Sequence, residues 1–253
     1  MNVNQRRMGI YDLLIKDKNV EVMELARLFN VSSMTIRRDL TLFEKQGLVT
    51  TTYGGAYLNQ STTTEASFQL KATQMADEKT RIGQFASRYV QENDTIIIDC
   101  GSTALQLAKA LPNIKLTVIT NSWPLINFLG SNTKIRLILA PGTYNSVSAG
   151  ALDGTTAAFF KNINADKVFI STQGCDLVRG LTVPEMLDAE VKRSMLNAGR
   201  KKYLLLDHTK IGLTYLAKHA SLEEFDQIIV DQDIDPELWQ NYQKKCPKLV
   251  RAE

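Results

Sequence analysis

The chain has 253 residues, of which 44% are hydrophobic, which is enough to bury the core of one large or two medium domains. Its net charge is only +3, with eight Lys/Arg against six Asp/Glu in residues 1–60, which argues against a purely electrostatic, non-specific binder of nucleic acid. Cys100, Cys175 and Cys246 lie far apart without a CxxC pair, as in a reducing cytosol, and not as in a disulfide framework or a zinc site. Without a signal peptide or an apolar run near the ~18 residues of a membrane span, a soluble, cytoplasmic protein is predicted.

Apolar residues at helical spacing dominate the start of the chain. A first helix is predicted at residues 5–16. A second apolar stripe ends at Asn30, a residue that favours a helix stop, and Ser32 or Ser33 can cap the helix that follows. This pattern predicts helices around a tight turn. The residues of the second stripe are Val22, Leu25, Ala26, Leu28 and Phe29.

The helix after this turn has two contrasting faces. Its buried face is predicted to centre on Ile36, with Leu40 and Phe43 beside it at ~100° per residue. The opposite face offers hydrogen-bond donors and a methyl group, which suit base edges in the major groove and the phosphates beside it. We therefore interpret it as a DNA-recognition helix. With the hairpin tip that follows, the candidate DNA-binding residues are Ser33, Met34, Thr35, Arg37, Arg38, Thr41 and Tyr53.

A β-wing is predicted after this helix. Gly47 ends the helix, residues 48–53 are β-branched and aromatic, Gly54-Gly55 permits a tight tip, and residues 56–58 can return as the second strand. The alternative is a structural three-helix bundle whose arginines are merely solvated. Because cap, apolar spacing, paired arginines and hairpin occur in register, the sequence favours a winged helix-turn-helix that reads DNA.

The segment VSSMTIRRDL at residues 31–40, followed by Gly47 and YGGA at 53–56, resembles the DNA-binding signature of the DeoR family of bacterial transcriptional regulators. The remainder of the chain also resembles the sensor domain of that family. The resemblance implies a repressor of a sugar or polyol catabolism operon that releases DNA when a phosphorylated sugar accumulates. The family more often has basic residues where this chain has Thr50-Thr51-Thr52, which weakens the case for strong phosphate contacts from this wing.

Three parts are expected along the chain: a DNA-binding domain at 1–58, a polar linker at 59–74, and a mostly parallel α/β sensor domain at 75–253. By resemblance, the sensor domain is similar in fold to ribose-5-phosphate isomerase and the CoA transferases. Continuously apolar runs such as residues 96–98 are typical of strands buried on both faces of a parallel sheet. After a helix around 68–90, strands are predicted near 95–99, 116–120, 135–139, 167–171, 202–206 and 227–230, with helices near 103–111, 122–129, 153–161 and 185–198.

Ligands of open parallel sheets gather at the C-terminal ends of the strands, and four polar or glycine-rich loops are predicted there. The first, residues 99–103, has a glycine that lets the backbone approach an anion and hydroxyls that can bind phosphate oxygens. The others are at 120–122, 140–150 and 173–176.

Three residues outside these loops complete the candidate effector site. Lys192 can reach a phosphate, and Asp207 and Lys210 resemble ligand-site positions of the family. The bland alternatives are a capped strand-to-helix turn at 99–103, an Asx turn at Asp176 and a solvated helix pair for Lys192. The candidate effector-binding residues are Asp99, Gly101, Ser102, Thr103, Thr120, Asn121, Gly142, Gly174, Asp176, Lys192, Asp207 and Lys210.

An isomerase-like enzyme with an accessory DNA-binding head is the alternative function. Isomerase chemistry needs a carboxylate base close to the sugar carbon. The isomerase resembled has a paired-aspartate DGAD segment where this chain has residues 173–176, and a glutamate where it has Val191. These two missing acids predict a domain that binds a sugar phosphate without transforming it. An architectural DNA binder without a ligand does not explain ~190 residues of sensor-like domain.

No cofactor or metal is predicted, because the sequence contains no Walker loop, GxGxxG or HExxH motif. The expected partners are double-stranded operator DNA and a phosphorylated sugar or polyol. The DNA-binding domain, or head, has a net charge of only +2, so a single copy attracts DNA weakly. A homo-oligomer, dimer or tetramer, is therefore also expected. No membrane partner is expected.

Overall fold

The chain divides into two compact units, one that ends at Gln74 and one that begins at Met75. The computed structural model describes residues 2–59, 63 and 65–253, without the side chain of Asn4. Residues 60–62 and 64 of the predicted linker therefore lie outside the described residues. Later in that segment the chain forms a helix, in which Leu70 is buried against the core of the first unit.

The first unit contains the helices and the hairpin that the sequence predicts, with an additional short strand. In the resulting antiparallel sheet the order is β1-β3-β2, so the returning strand of the wing pairs on both sides. The elements are α1 (Val3–Asp17), β1 (Asn19–Glu21), α2 (Val22–Leu28), α3 (Ser33–Lys45), β2 (Val49–Thr51), β3 (Gly55–Leu58) and α4 (Phe68–Thr73).

The tight turn between α2 and α3 has the predicted caps, but one predicted core residue is exposed. Asn30 adopts a left-handed conformation (φ 51°), and the Ser32 hydroxyl accepts a hydrogen bond from the N–H of Thr35 at 3.2 Å. Ile36, Leu40 and Phe43 are buried as predicted. The inward placement of Leu28 was wrong, since 65% of this residue is exposed: α2 ends there, and the helical period does not extend beyond it.

The helix predicted around 68–90 is two helices. Gln74 is extended and Met75 is left-handed (φ 50°), a conformation that cannot continue a right-handed helix. The second unit starts after this break. Its helices are α5 (Ala76–Ser87), α6 (Ser102–Ala110), α7 (Trp123–Leu129), α8 (Gly154–Lys161), α9 (Met186–Ala198) and α10 (Pro236–Lys245).

The strands of the second unit form one large parallel sheet and two small antiparallel sheets. The large sheet contains β4 (Thr95–Ile98), β5 (Leu116–Thr120), β6 (Ile135–Leu139), β9 (Ala165–Ser171), β12 (Gly199–Leu206), β14 (Gln227–Val230) and β15 (Leu249–Arg251). The small sheets contain β7 (Tyr144–Asn145) with β8 (Gly150–Ala151), and β10 (Gly174–Asp176) with β11 (Gly180–Val183) and β13 (Ala217–Ala220).

The order of the large sheet, β15-β14-β12-β9-β4-β5-β6, reverses at its centre. From β4 the chain continues to β5 and β6 on one side, and from β9 it continues to β12, β14 and β15 on the other. The C-terminal ends of β4 and β9 therefore form the topological switch point, where open α/β sheets place their ligands.

Helices cover both faces of this sheet. One core cluster joins Val168 and Leu204 of the sheet to Phe160 of α8 and Met195 of α9. The buried residues of α5 and α6, such as Ile82, lie outside that cluster, and these two helices pack against each other. The mostly parallel α/β domain that was predicted is confirmed. No helix in the described part of the chain is both long and apolar enough to span a membrane.

Candidate functional sites

The outward face of α3 is the first candidate site. Met34, Arg38 and Thr41 are exposed on it, while Ser33 and Thr35 are half-buried near the helix start. Met34, Arg38 and Thr41 form one accessible strip, because Ile36, Leu40 and Phe43 hold the opposite face in the core. Its exposed side chains can donate hydrogen bonds to base edges, and a major groove admits an α-helix.

The wing is attached to one flank of α3. Nη2 of Arg37 donates a hydrogen bond to the carbonyl oxygen of Tyr53 at 3.0 Å, and its guanidinium lies 5.8 Å from the centre of the Tyr53 ring. Glu44 accepts from the N–H of Thr51 at 2.9 Å and from its hydroxyl, and the side-chain bond in particular lowers the pKa of Glu44. The Tyr53 ring is 95% exposed at the tip. Of the predicted DNA-binding residues, Arg37 therefore also fixes the wing.

A buried carboxylate lies on the other flank of α3, and the sequence analysis missed it. Asp39 accepts from Nε of Arg6 and from Nε of Arg7, both at 2.7 Å. Asp39 and Arg6 are buried, whereas 33% of the Arg7 side chain is exposed. We call these three residues the Asp39 clamp. In the sequence, this clamp was indicated by two adjacent arginines, Arg6 and Arg7, which lie four and three positions before the buried Ile10.

The second candidate site is at the switch point of the large sheet. Asp99, directly after β4, accepts at 2.9 Å from both the N–H and the hydroxyl of Ser171, the last residue of β9. It also accepts from the N–H of Gly101 at 3.1 Å. A Cβ at Gly101 would lie 1.8 Å from Oγ of Ser171, so only glycine fits there. Ser102 and Thr103 are buried in the first turn of α6.

Lys192 of α9 reaches the same carboxylate. Its Nζ donates to Oδ2 of Asp99 and lies 3.7 Å from Oδ1 of Asp188. Burial disfavours the charged ammonium, but Asp188 and Asp99 outweigh burial and raise the pKa of Lys192. The predicted contact residue thus lies at the switch point, but its charge is already compensated by two carboxylates.

Residues at the end of β5 and around the start of β8 complete this end of the sheet. Thr120 and Asn121 are buried, and Nδ2 of Asn121 donates to the carbonyl oxygen of Ala151 at 2.9 Å. A Cβ at Gly150 would lie 2.7 Å from Cβ of Cys100, which places this segment directly against the loop after β4. Oδ1 of Asn121 and Oγ of the buried Ser148 have no hydrogen-bond partner among the described residues. We call this set the switch-point cluster: residues 99–103, 120–121, 148–150 and 171, with Lys192.

A buried histidine lies next to the switch-point cluster. The Thr172 hydroxyl is 3.0 Å from the carbonyl oxygen of Gly174, 3.1 Å from that of Thr182 and 3.0 Å from Nε2 of His219. A hydroxyl has one proton, and two carbonyls compete for it, so Nε2 of His219 is the donor in its contact. Burial, reinforced by Lys192 and Arg193, holds the pKa of His219 well below its usual value. The sequence analysis did not identify this residue.

Five predicted effector residues lie outside the switch-point cluster, and three of them, Asp176, Gly174 and Gly142, lie in the small sheets and loops. Asp176, the last residue of β10, accepts from the N–H groups of Val178 and Arg179, which is the Asx-type turn that was the alternative interpretation. Gly174 is buried in β10. Gly142 is exposed with φ +141°, where a side chain is strained, and its turn leads to the cap of α8.

Asp207 and Lys210 lie together at the end of β12. Nζ of Lys79 is 4.0 Å from Oδ2 of Asp207, and Nζ of Lys210 is 3.9 Å from Oδ1. Burial opposes ionisation of Asp207, but Lys210 and Lys79 keep its pKa below the ordinary value. Beside it, Nδ1 of His208 contacts Oδ1 of Asp231 at 2.8 Å. Among the described residues, no group of three His, Cys, Asp or Glu side chains is placed to hold a metal ion.

Comparison with known families assigns both units. A model described as the DeoR-like helix-turn-helix domain matches residues 6–62, and one described as the DeoR C terminal sensor domain matches residues 74–232. The chain belongs to the DeoR family. The resemblance predicted from residues 31–56 is confirmed, and this DeoR-family chain is a DNA-binding transcriptional regulator.

Curated relatives match this regulator over nearly its whole length. The HTH-type transcriptional regulator GolR of Listeria innocua is 36% identical over 242 residues, covering 94% of each chain. The glycerol-3-phosphate regulon repressor of Escherichia coli K12 is 31% identical over 232 residues, covering 91% of this chain and 92% of its own. Among solved structures, ribose 5-phosphate isomerase A of Methanocaldococcus jannaschii is similar with a TM-score of 0.40 and 14% identity, covering 54% of this chain and 55% of that chain.

Proposed function

We propose that this DeoR-family regulator represses a sugar or polyol catabolism operon and that a phosphorylated sugar or polyol relieves the repression. The observation that carries the proposal is the switch-point cluster, where buried polar side chains from five separate segments meet at the end of a parallel sheet. A relative named for the glycerol-3-phosphate regulon supports the same class of effector.

The chemistry of the switch-point cluster fits a polyhydroxylated anion. The start of α6 offers backbone N–H groups and the hydroxyls of Ser102 and Thr103 to phosphate oxygens. Oδ1 of Asn121 is an acceptor, and Oγ of Ser148 can accept or donate. A buried polar atom without a partner costs about 1–3 kcal/mol. Sugar hydroxyls supply the missing partners, so binding recovers that cost.

We further propose that the effector phosphate competes with Asp99 for Lys192. In the described state Lys192 faces Asp99 and Asp188, and these three side chains together carry a charge of −1. A dianion can bind there only if Asp99 gives up its contact with the ammonium. Binding then favours a conformation in which α6 and α9 have a different relative position. A ligand that prefers one conformation shifts the population toward it. The remaining candidates, Asp176, Gly142, Gly174, Asp207 and Lys210, are proposed contacts of lower priority, because they lie outside the switch-point cluster.

Binding without catalysis is the proposed role of the second unit. Residues 173–176 resemble the paired-aspartate segment of the isomerase but hold a single carboxylate, Asp176, and backbone N–H groups in its own turn bind one of its oxygens. These bonds lower the pKa of Asp176, which makes its carboxylate a weaker base. The proposed DNA partner is an operator with repeated half-sites, bound by two or more heads of a homo-oligomer.

A competition experiment tests the proposal. Complexes of the full-length chain with a duplex selected from a random-sequence pool are titrated with glycerol 3-phosphate, ribose 5-phosphate and their unphosphorylated parents. At least one phosphorylated compound should reduce duplex affinity about 5- to 150-fold, which corresponds to a coupling of about 1–3 kcal/mol. The same compound should raise the melting temperature of the free protein, since binding stabilises by mass action.

Two serine variants locate the site. Ser148→Ala removes a buried hydroxyl without a partner among the described residues, so the free protein should melt at the same or a higher temperature while its effector response weakens. Ser131→Ala, at an exposed position after α7, is the matched control and should respond like the parent. If no phosphorylated compound changes duplex binding, or if Ser148→Ala responds like Ser131→Ala, the proposed site is wrong. Turnover of these compounds, followed by NMR, would support the isomerase instead.

A further inference from the structure

The Asp39 clamp brings two cations to one anion beside the recognition helix. Arg6 and Arg7 each donate through Nε to a different oxygen of Asp39, both at 2.7 Å. One arginine suffices to neutralise a carboxylate, so the clamp has a net charge of +1. The two arginines differ in burial: 9% of the Arg6 side chain is exposed, against 33% of the Arg7 side chain.

The clamp and the wing lie on opposite flanks of α3. At ~100° per residue from Ile36, Arg37 and Glu44 fall on one flank, where both hold the wing. Asp39 falls on the other flank, and there it fixes the first part of α1 beside the helix. The DNA-reading strip of α3 is thus bordered on one side by the wing and on the other by Arg7.

We infer that Arg7 binds a backbone phosphate of the DNA strand that borders the major groove on the side away from the wing. This inference rests on the proposed DNA binding by α3. The groove is about 12 Å wide, so a helix within it has a sugar-phosphate backbone along each flank. Asp39 holds Nε of Arg7, and the guanidinium makes no other hydrogen bond to the described residues. Asp39 therefore fixes the orientation of the guanidinium. The two terminal nitrogens of Arg7 can then donate hydrogen bonds to phosphate oxygens.

Such a contact adds affinity without sequence preference. Arg7→Gln should reduce the slope of log affinity against log salt concentration by about 0.9 for each bound head, since one counterion fewer is released. The loss should be equal on the selected duplex and on variants with single base changes. Arg7→Lys should retain most of the slope, because it keeps the charge.

Lys16→Gln is the matched control. It removes one positive charge from the exposed end of the same helix, and nine residues after Arg7 it lies on the opposite face of α1. All variants are compared as full-length chains, with thermal melting to verify folding. The inference fails if Arg7→Gln keeps the parental slope, or if Lys16→Gln reduces the slope equally. Failure of the parent to bind any duplex would instead refute the proposed DNA binding by α3.

Discussion

Arg37 and Arg38 are neighbours in the sequence, but the structure gives them different surroundings. Arg37 donates a hydrogen bond to the carbonyl oxygen of Tyr53 and lies near the Tyr53 ring, so some of its donors already bind the wing. Arg38 is exposed in the middle of the strip of α3, and no contact of its side chain is found among the described residues. At the scale of residues, Arg38 is therefore the better candidate for reading a base.

We predict that Arg38→Ala weakens binding to the selected duplex by about 1–3 kcal/mol and relaxes the preference for one base pair. Arg37→Ala should weaken binding to all duplexes more evenly, because it loosens the wing. Titrations of both variants against a panel of single-base duplexes check this. An unchanged isotherm for both variants would remove these arginines from the interface.

Some site residues could be read from the sequence because their chemistry is local. Asp99, Gly101 and Ser102 follow a buried strand directly, and this position together with the family resemblance predicts a ligand loop. His219 could not be found that way, and Ser148 lay in the predicted loop at 140–150 without being singled out. Their importance comes from buried atoms and from partners contributed by distant segments, and residue type gives no sign of either.

At the scale of elements, α8 begins with a strong cap. Asp153 accepts from the N–H of Thr156 at 2.9 Å and from the N–H and hydroxyl of Thr143 at 2.8 Å. The Thr156 backbone bond contributes most, and together these bonds lower the pKa of Asp153 to about 2. They favour the ionised carboxylate, because each is donated to it.

This cap predicts a pH dependence. The pKa of Asp153 is lower in the folded chain than the 3.8 of an ordinary aspartate, so its stabilisation is complete above about pH 4 and is lost as the pH falls through about 2. Asp153→Asn should therefore melt below the parent at about pH 6, with the difference shrinking toward about pH 2. Melting curves across that range check it. A difference that stays constant with pH would show that the charge has no role.

The long elements were predictable and the short ones were not. Continuously apolar runs such as residues 96–98 and 204–206 predicted the parallel strands, because both faces of such a sheet are buried. β1 has three residues with the burial pattern exposed-buried-exposed, too short to show a period. The break at Met75 also left no signal, since methionine is a good helix former and only tertiary context places it in the left-handed region.

At the scale of the whole molecule, charge bears on assembly. The head carries a net charge of +2, and a single copy releases few counterions from DNA. We predict that sedimentation equilibrium at micromolar protein gives a dimer or a tetramer, and that two or more heads bind each selected duplex. A strict monomer that binds one half-site tightly would contradict this prediction.

The sequence separation of the residues in the switch-point cluster also implies the order in which the two units fold during synthesis. Asp99 and Ser171 are 72 residues apart in the sequence, and Lys192 lies 93 residues after Asp99, whereas the DNA-reading unit is complete by Gln74. Because domains generally fold from the N-terminus as they leave the ribosome, the nascent regulator has its helix-turn-helix before the proposed effector site is complete. A premature stop between these points would leave a head without a sensor, so such nonsense alleles would be unresponsive to the effector.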